Sequence, residues 1–130
     1  MWDEQHLWRF LPLGYAYTVA IELSILWFAL SRRHPPQVRI AAGFWLTAVT
    51  YPIVVIVLPL TVGQHVSRGA YLAIAETFAP AAECALFYFA YVKDIPPDRA
   101  ATRRDMAAIV AVNLTSFLTA EAYRYFKGWL

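Results

Sequence analysis

The sequence predicts an all-α protein, polytopic in the membrane, whose four transmembrane helices form one domain over residues 1–130. Its composition is the first reason, because 60% of the residues are hydrophobic and only 15% are charged, which is far from the balance of soluble domains. The apolar residues also gather into four blocks, with many of the aromatic residues towards the block ends. Amphipathic rings at these positions are typical of the headgroup level of a bilayer.

Each apolar block is long enough to cross a bilayer, because about 20 residues at about 1.5 Å per residue span a hydrocarbon core of about 30 Å. The predicted helices cover residues 11–30, 40–60, 70–92 and 106–125. Asp3 and Glu4 stand where a cleavable signal peptide would carry basic residues, so we expect the first block to remain as a permanent helix. The net charge of +2 is too small to indicate nucleic acid, and the lipid bilayer is the expected partner.

Prolines mark two of the connections and interrupt the second helix. The proline pairs at 35–36 and 96–97 lie between predicted helices, because proline disfavours helix at the preceding residue and suits the first turn of the next helix. Pro52 and Pro59 lie inside the second helix, where each removes a backbone donor and is expected to kink the helix. The carbonyl of Val55, four residues before Pro59, is one of the acceptors expected to need another partner.

The distribution of Lys and Arg predicts which side of the membrane each connection faces. One side carries seven of these residues, Arg32, Arg33, Arg39, Lys93, Arg99, Arg103 and Arg104, and the other carries four, Arg9, Arg68, Arg124 and Lys127. The positive-inside rule therefore predicts that both connections with proline pairs are cytoplasmic and that both termini lie outside the cytoplasmic membrane.

Two helical hairpins of this chain resemble each other in sequence. When the first half is shifted by 61 positions, residues 20–36 lie over residues 81–97 with six identities in 17. Glu22 then matches Glu83, and the two proline pairs coincide. The alignment favours two hairpin repeats in parallel orientation, an arrangement often found in transport proteins with a site at the repeat interface. Shared apolar composition and proline-containing loops are the alternative explanation.

Four glutamates lie inside the predicted spans, namely Glu22, Glu76, Glu83 and Glu121. A charged side chain at a helix centre costs roughly 2.5–3.5 kcal/mol on insertion scales, so such residues face protein or water. Glu22 and Glu83 each stand 13 residues before a proline pair, which places both about 15 Å inside the cytoplasmic boundary. Glu76 lies two turns further out on the face of Glu83, and Glu121 reaches a similar outer level.

These glutamates form the candidate proton or cation site. Desolvation and like charge both disfavour ionisation of neighbouring buried carboxyl groups, which can then exchange protons near neutral pH. Carboxylates and free carbonyls also bind hard cations, and the sequence leaves the identity of any metal open. The supporting residues are Pro80, which frees the carbonyl of Glu76, together with His65, Arg68, Asn113 and Tyr51. The alternative is structural, with Glu121 paired to Arg124, His65 an ordinary loop histidine and Asn113 bonding helix to helix.

No motif indicates catalytic residues or a resident cofactor. His6, His34 and His65 lie outside the helix centres, which disfavours a haem held by two histidines within the bundle. Cys84 is alone, so no disulfide or paired-cysteine site is expected. The sequence also lacks a nucleophile elbow and a phosphate loop. An enzyme that acts on lipid through its carboxylates stays open as an alternative.

Short motifs resemble two groups of membrane proteins. Thr50-Tyr51-Pro52, Ala75-Glu76-Thr77 with Ala82-Glu83, and residues 113–117 together resemble small, uncharacterised four-helix bacterial membrane proteins over most of the chain. Tyr15, Tyr17 and Glu22 are similar to the first helix of small multidrug resistance transporters, in which a glutamate is shared by protons and cationic substrates. The second resemblance is confined to this stretch, and the other three glutamates and the proline pairs depart from that family.

Two functional hypotheses follow. The first is a proton- or cation-coupled transporter or channel, a homo-oligomer because four helices enclose little space, with Glu22 and Glu83 as the coupling pair. Glu76 and Glu121 would form its outer approach. The second is a non-catalytic accessory or structural subunit of a larger membrane complex, with its glutamates paired to basic residues of a partner.

Overall fold

Four helical rods, joined by short connections, pack as an up-and-down bundle. The computed structural model describes the backbone of residues 4–127 and the side chains of residues 15–54, 56–119 and 121–122. The helices are α1 (Glu4–Ala29), α2 (Pro36–Pro52), α3 (Leu58–Leu60), α4 (Arg68–Phe87) and α5 (Arg99–Lys127). A π-helical turn, Ile53–Val57, joins α2 to α3 as one rod, and a second, Tyr88–Val92, extends α4. Both α1 and α4 pack against α2 and α5, so the four rods surround a common interior.

The rods begin earlier than the apolar blocks predict, because their first turns are polar. Asp98 caps α5, where its Oδ1 accepts a hydrogen bond of 3.0 Å from the backbone N–H of Ala101. Ser67 caps α4 in the same way and accepts a hydrogen bond of 3.2 Å from the N–H of Ala70. Hydropathy does not register such turns, so the predicted starts at residues 70 and 106 fall inside helices that begin at Arg68 and Arg99.

The second rod accommodates its prolines through the π-helical turn. Leu58 donates its backbone N–H to the carbonyl of Ile53 instead of that of Val54, and Pro59 has no N–H to donate. The carbonyl of Val54 therefore lacks a backbone donor, and the hydroxyl of Tyr71 on α4 donates to it. Sequence reasoning assigned the need for a partner to the neighbouring carbonyl of Val55. The position differs by one residue because the π-turn shifts the backbone ladder.

The hydrophobic core lies towards one end of the bundle. We call it the proline end because the pair 35–36 lies where the connection 30–35 meets α2, and the pair 96–97 lies in the connection 93–98. Its buried members come from all four rods: Leu26, Leu30, Ala42, Leu46, Phe87, Val92, Ala108, Ile109 and Val112. Gly43 lets α1 and α2 approach closely, because a Cβ at this position would lie 2.6 Å from the Cδ2 of Leu23. The connection 61–67 lies at the other end, which we call the outer end.

The outside of the bundle is also apolar. Large hydrophobic side chains are exposed on every rod, and Phe28 and Phe89 are 78% and 65% exposed. Among the described residues, one helix, Arg68–Val92, is long and apolar enough to cross a membrane by length and composition, and Tyr15–Ala29 is a shorter apolar helix. Only 22% of the apolar window in Arg68–Val92 is buried within the bundle, whereas a soluble core helix is mostly buried. The described residues establish the all-helical class. That all four rods cross a membrane stays a prediction.

Candidate carboxylate site

Two glutamates from different rods are enclosed in the middle of the bundle. Glu22 projects from α1 and is 1% exposed, and Glu83 projects from α4 and is 2% exposed. Each belongs to the inward stripe of its helix, since Val19 and Leu26 flank Glu22 by one turn, and Ala79 and Phe87 flank Glu83. The two carboxyl groups are close enough to interact electrostatically.

Hydroxyl groups of α2 meet both carboxyl groups. Thr47 and Thr50 lie one turn apart, both are buried, and they contact Oε2 of Glu22 and Oε2 of Glu83, respectively. The distance from Thr50 Oγ1 to Glu83 Oε2 is 3.0 Å. Asn113 on α5 is a further polar neighbour of the Glu83 carboxyl group and anchors its own amide to the carbonyl of Ile109. Helices α1, α2, α4 and α5 thus all contribute to the pair or its partners.

Hydroxyl and amide groups, rather than cations, are the observed partners of this pair. Over the side chains described, neither Glu22 nor Glu83 forms an ion pair with Lys, Arg or His. The same residues contain no group of three or more His, Cys, Asp and Glu side chains arranged to hold a metal ion. Two enclosed carboxyl groups without a cation disfavour double ionisation, since each ionised group needs compensation for lost hydration. Retention and release of a proton is the chemistry that this arrangement supports.

The other two predicted glutamates lie nearer the outer end. Arg68 Nη2 and Glu121 Oε1 are 3.0 Å apart, with the two side chains 36% and 34% exposed. Glu76 is half-buried and lies within electrostatic range of Glu121 and of the Tyr71 hydroxyl. The structure pairs Glu121 with Arg68 across helices; the Arg124 side chain, its expected partner, lies outside the described residues.

The supporting residues are divided between the two groups. Asn113 belongs to the buried pair, whereas Pro80 lies on α4 between Glu76 and Glu83, and the helix continues through it. The rings of Tyr51 and Tyr15 are 6.2 Å apart, and neither tyrosine is among the observed partners of the glutamates. His65 is exposed, and its backbone N–H bonds to the carbonyl of Val62.

Sequence reasoning missed a second buried polar cluster, at the proline end. Asp105 is fully buried, and its Oδ1 accepts the backbone N–H of Ser31 at 2.7 Å. Its Oδ2 accepts from Arg33 at 2.9 Å, His34 at 2.8 Å and the Ser31 hydroxyl at 3.1 Å. Burial alone would raise the pKa of Asp105, but these hydrogen bonds outweigh it and hold the pKa below its ordinary value.

Two arginines complete this cluster by capping the end of α1. Arg39 donates to the carbonyls of Trp27 at 2.8 Å and Ser31 at 2.7 Å, and Arg104 donates to Ala29 at 2.9 Å. These contacts satisfy carbonyls that a helix end leaves without partners and place positive charge where the helix dipole favours it. The only sequence signal was the concentration of basic residues around the proline pairs, which we interpreted as topology alone.

Comparisons with models of protein families, with curated proteins and with solved structures each found no match for this chain. The resemblances to small four-helix bacterial membrane proteins and to small multidrug resistance transporters therefore stay predictions.

Proposed function

We propose that this chain is a small integral membrane protein that couples transport to protonation of the Glu22–Glu83 pair. The carrying observation is the enclosure of two carboxyl groups in one bundle, where their partners among the described side chains are hydroxyl and amide groups. A carboxyl group kept away from cations retains a proton that can be lost and regained. Its transported species would be protons or a cation that competes with them.

The apolar exterior supports placement of the bundle in a bilayer. Exposed Phe28, Phe44, Phe89 and Leu118 come from four different rods, and such a surface in water would favour aggregation. In this proposal all four rods cross the cytoplasmic membrane, the proline end faces the cytoplasm and both termini lie outside. The excess of Lys and Arg around the proline pairs supports that orientation.

The predicted hairpin repeat, with one glutamate of the pair in each hairpin, supports a transport site at the hairpin interface. The α1–α2 hairpin and the α4–α5 hairpin each contribute one glutamate to the pair. Glu76, Glu121 and Arg68 provide the approach from the outer end in this proposal, and a homo-oligomer would supply a larger enclosed pathway.

The alternative function, a non-catalytic subunit of a larger membrane complex, needs the glutamates to meet basic residues of a partner. Glu22 and Glu83 are enclosed by their own bundle and have intramolecular partners, which favours the transporter. Native mass spectrometry of the chain extracted from its own membranes separates the two proposals. A monomer or homo-oligomer supports the transporter, and a fixed ratio with larger chains supports the subunit.

The transport test uses the purified chain in liposomes with an imposed pH gradient. Glu83→Gln preserves the size of the side chain and removes the exchangeable proton, so we expect flux to fall to the level of empty liposomes while helical content is retained. Asp94→Asn, at an exposed position of the 93–98 connection, is the matched control and should transport normally. Full flux in folded Glu83→Gln would refute the coupling role.

A further inference from the structure

The hydroxyl group of Thr50 has more acceptors than it has hydrogens. Its Oγ1 lies 3.0 Å from Glu83 Oε2 and also 3.0 Å from the backbone carbonyl of Leu46, one turn earlier in α2. A threonine hydroxyl carries one hydrogen and two lone pairs. The Leu46 carbonyl can only accept, so it uses the single hydrogen of Thr50 whenever the two are bonded. In that state Thr50 and Glu83 form a hydrogen bond only if the Glu83 carboxyl group is protonated and donates.

Thr47 does not have this choice. Over the described residues, Glu22 is the one hydrogen-bond partner of its hydroxyl, and the Thr47 side chain makes no bond back to the carbonyl of its own helix. Its hydrogen therefore points to Glu22, which accepts. A protonated Glu22 can carry its proton on Oε1 and still accept from Thr47 through Oε2, so this contact is the same in both states of Glu22 and does not switch.

We infer that Glu83 is the member of the pair that gains and loses the proton, and that Thr50 is the positioning residue that keeps it hydrogen-bonded in both states. With Glu83 protonated, the carboxyl O–H donates to Thr50 Oγ1, and Thr50 donates to Leu46. When the proton passes to a solvent base, the Thr50 hydroxyl rotates about its Cβ–Oγ1 bond and donates to the carboxylate. The Glu83 O–H bond breaks, the base gains the proton, and no other covalent bond changes.

The surroundings of Glu83 are consistent with this exchange. Glu22 faces it from α1, and Cys84 is the titratable neighbour on α4 itself. Among the described residues, α2 contributes Thr50 and α5 contributes Asn113, neither of which titrates in the accessible pH range. The inference rests on the proposed function for its choice of site, but it concerns proton binding by the chain alone.

The test is acid-minus-base infrared difference spectroscopy of the chain in liposomes without a gradient, because a protonated carboxyl group has its own C=O stretching band. We expect the wild-type titrating band to disappear in Glu83→Gln and to persist in Glu22→Gln. Thr50→Val removes the donor to the carboxylate, so the band should change frequency and the midpoint should move to higher pH by about one unit, roughly tenfold tighter proton binding. Thr50→Ser restores the hydroxyl and should restore both readings.

Thr77→Val is the matched control, because Thr77 is exposed on α4 and its one hydrogen bond among the described residues is to the carbonyl of Ala73 on its own helix, at 2.7 Å. Its spectrum should be that of the wild type. If Thr50→Val does not fold, Thr50→Ala tests the same loss with a smaller side chain. An unchanged band and midpoint in a folded Thr50 variant, or a titrating band that survives Glu83→Gln and vanishes in Glu22→Gln, overturns the inference. The spectra are recorded without a gradient and do not depend on transport. If the chain carries no flux but the spectra change as expected, the proposed function fails and the Thr50 inference stands.

Discussion

Asp105 provides the most direct test of what holds the bundle closed at the proline end. The substitution Asp105→Asn keeps the shape of the side chain and one carbonyl oxygen, which can still accept from the Ser31 N–H. The amide nitrogen then replaces Oδ2 and faces the donors of Arg33, His34 and the Ser31 hydroxyl. The Arg33 contact becomes donor against donor, and the His34 and Ser31 contacts survive only if the imidazole changes tautomer and the hydroxyl rotates to accept from the amide.

The expected loss is large because the Asp105 carboxyl group is buried. Asp105 is fully buried, and the His34 side chain that bonds to it is 3% exposed, so water cannot replace the lost acceptor. Breaking a buried ion pair by removing one partner costs about 3–5 kcal/mol. That is a substantial part of the roughly 5–15 kcal/mol that separates native from unfolded domains. We therefore expect Asp105→Asn to lower the melting temperature markedly in mild detergent at neutral pH.

The pH dependence has a definite sign. The folded pKa of Asp105 is held below its unfolded value, so the stabilisation is fully present above the unfolded value of about 3.9 and is lost as the pH falls through the lower folded value. The stability difference between wild type and Asp105→Asn should therefore stay constant near neutrality and shrink in strong acid.

Thermal unfolding followed by circular dichroism measures this difference across the pH range. Asp94→Asn is the control, because Asp94 is an exposed acid in the connection just before α5. Equal melting temperatures for Asp105→Asn and Asp94→Asn at neutral pH would refute the reasoning. So would a stability difference that grew on acidification.

Two further substitutions test the packing of the rods. Tyr71→Phe removes the donor that meets the carbonyl of Val54 beside the π-turn and should cost about 1–3 kcal/mol, and an unchanged melting temperature would show that the carbonyl finds another partner. Gly43→Leu forces a side chain against Leu23 and should cost about 1–3 kcal/mol, whereas Gly69→Leu, where an added Cβ meets nothing within 4 Å, should have a smaller effect. Equal losses for the two glycine variants would contradict the close approach of α1 and α2.

Local sequence patterns were sufficient for the helical class and indicated that Glu22 and Glu83 face the protein interior. Apolar blocks of helical length, separated by proline pairs, predict the rods and their connections. The rods begin before the apolar blocks because their first turns and caps are polar. The equal spacing of Glu22 and Glu83 from their proline pairs predicts equal depth, and the structure encloses both side chains within the bundle.

Long-range partners could not be predicted in this way. Asp105 and Ser31 are 74 positions apart, and nothing in either local sequence identifies the other. The same is true of Arg68 and Glu121, which lie on different rods and are 53 positions apart. Composition indicates where polar groups are costly, but the packing of the rods decides which donor meets which acceptor.

The two buried polar sites differ in a way that bears on mechanism. Asp105 has four donors and a fixed state, so it locks the proline end, whereas Glu83 shares a hydroxyl that has another acceptor. Phe87 lies between them, one turn from Glu83 and edge-on to the His34 ring at 5.1 Å, within an apolar layer. The apolar side chains of this layer offer no group that could relay a proton. In the proposed transporter, protons therefore reach the pair from the outer end, and release into the cytoplasm requires the Phe87 layer to open.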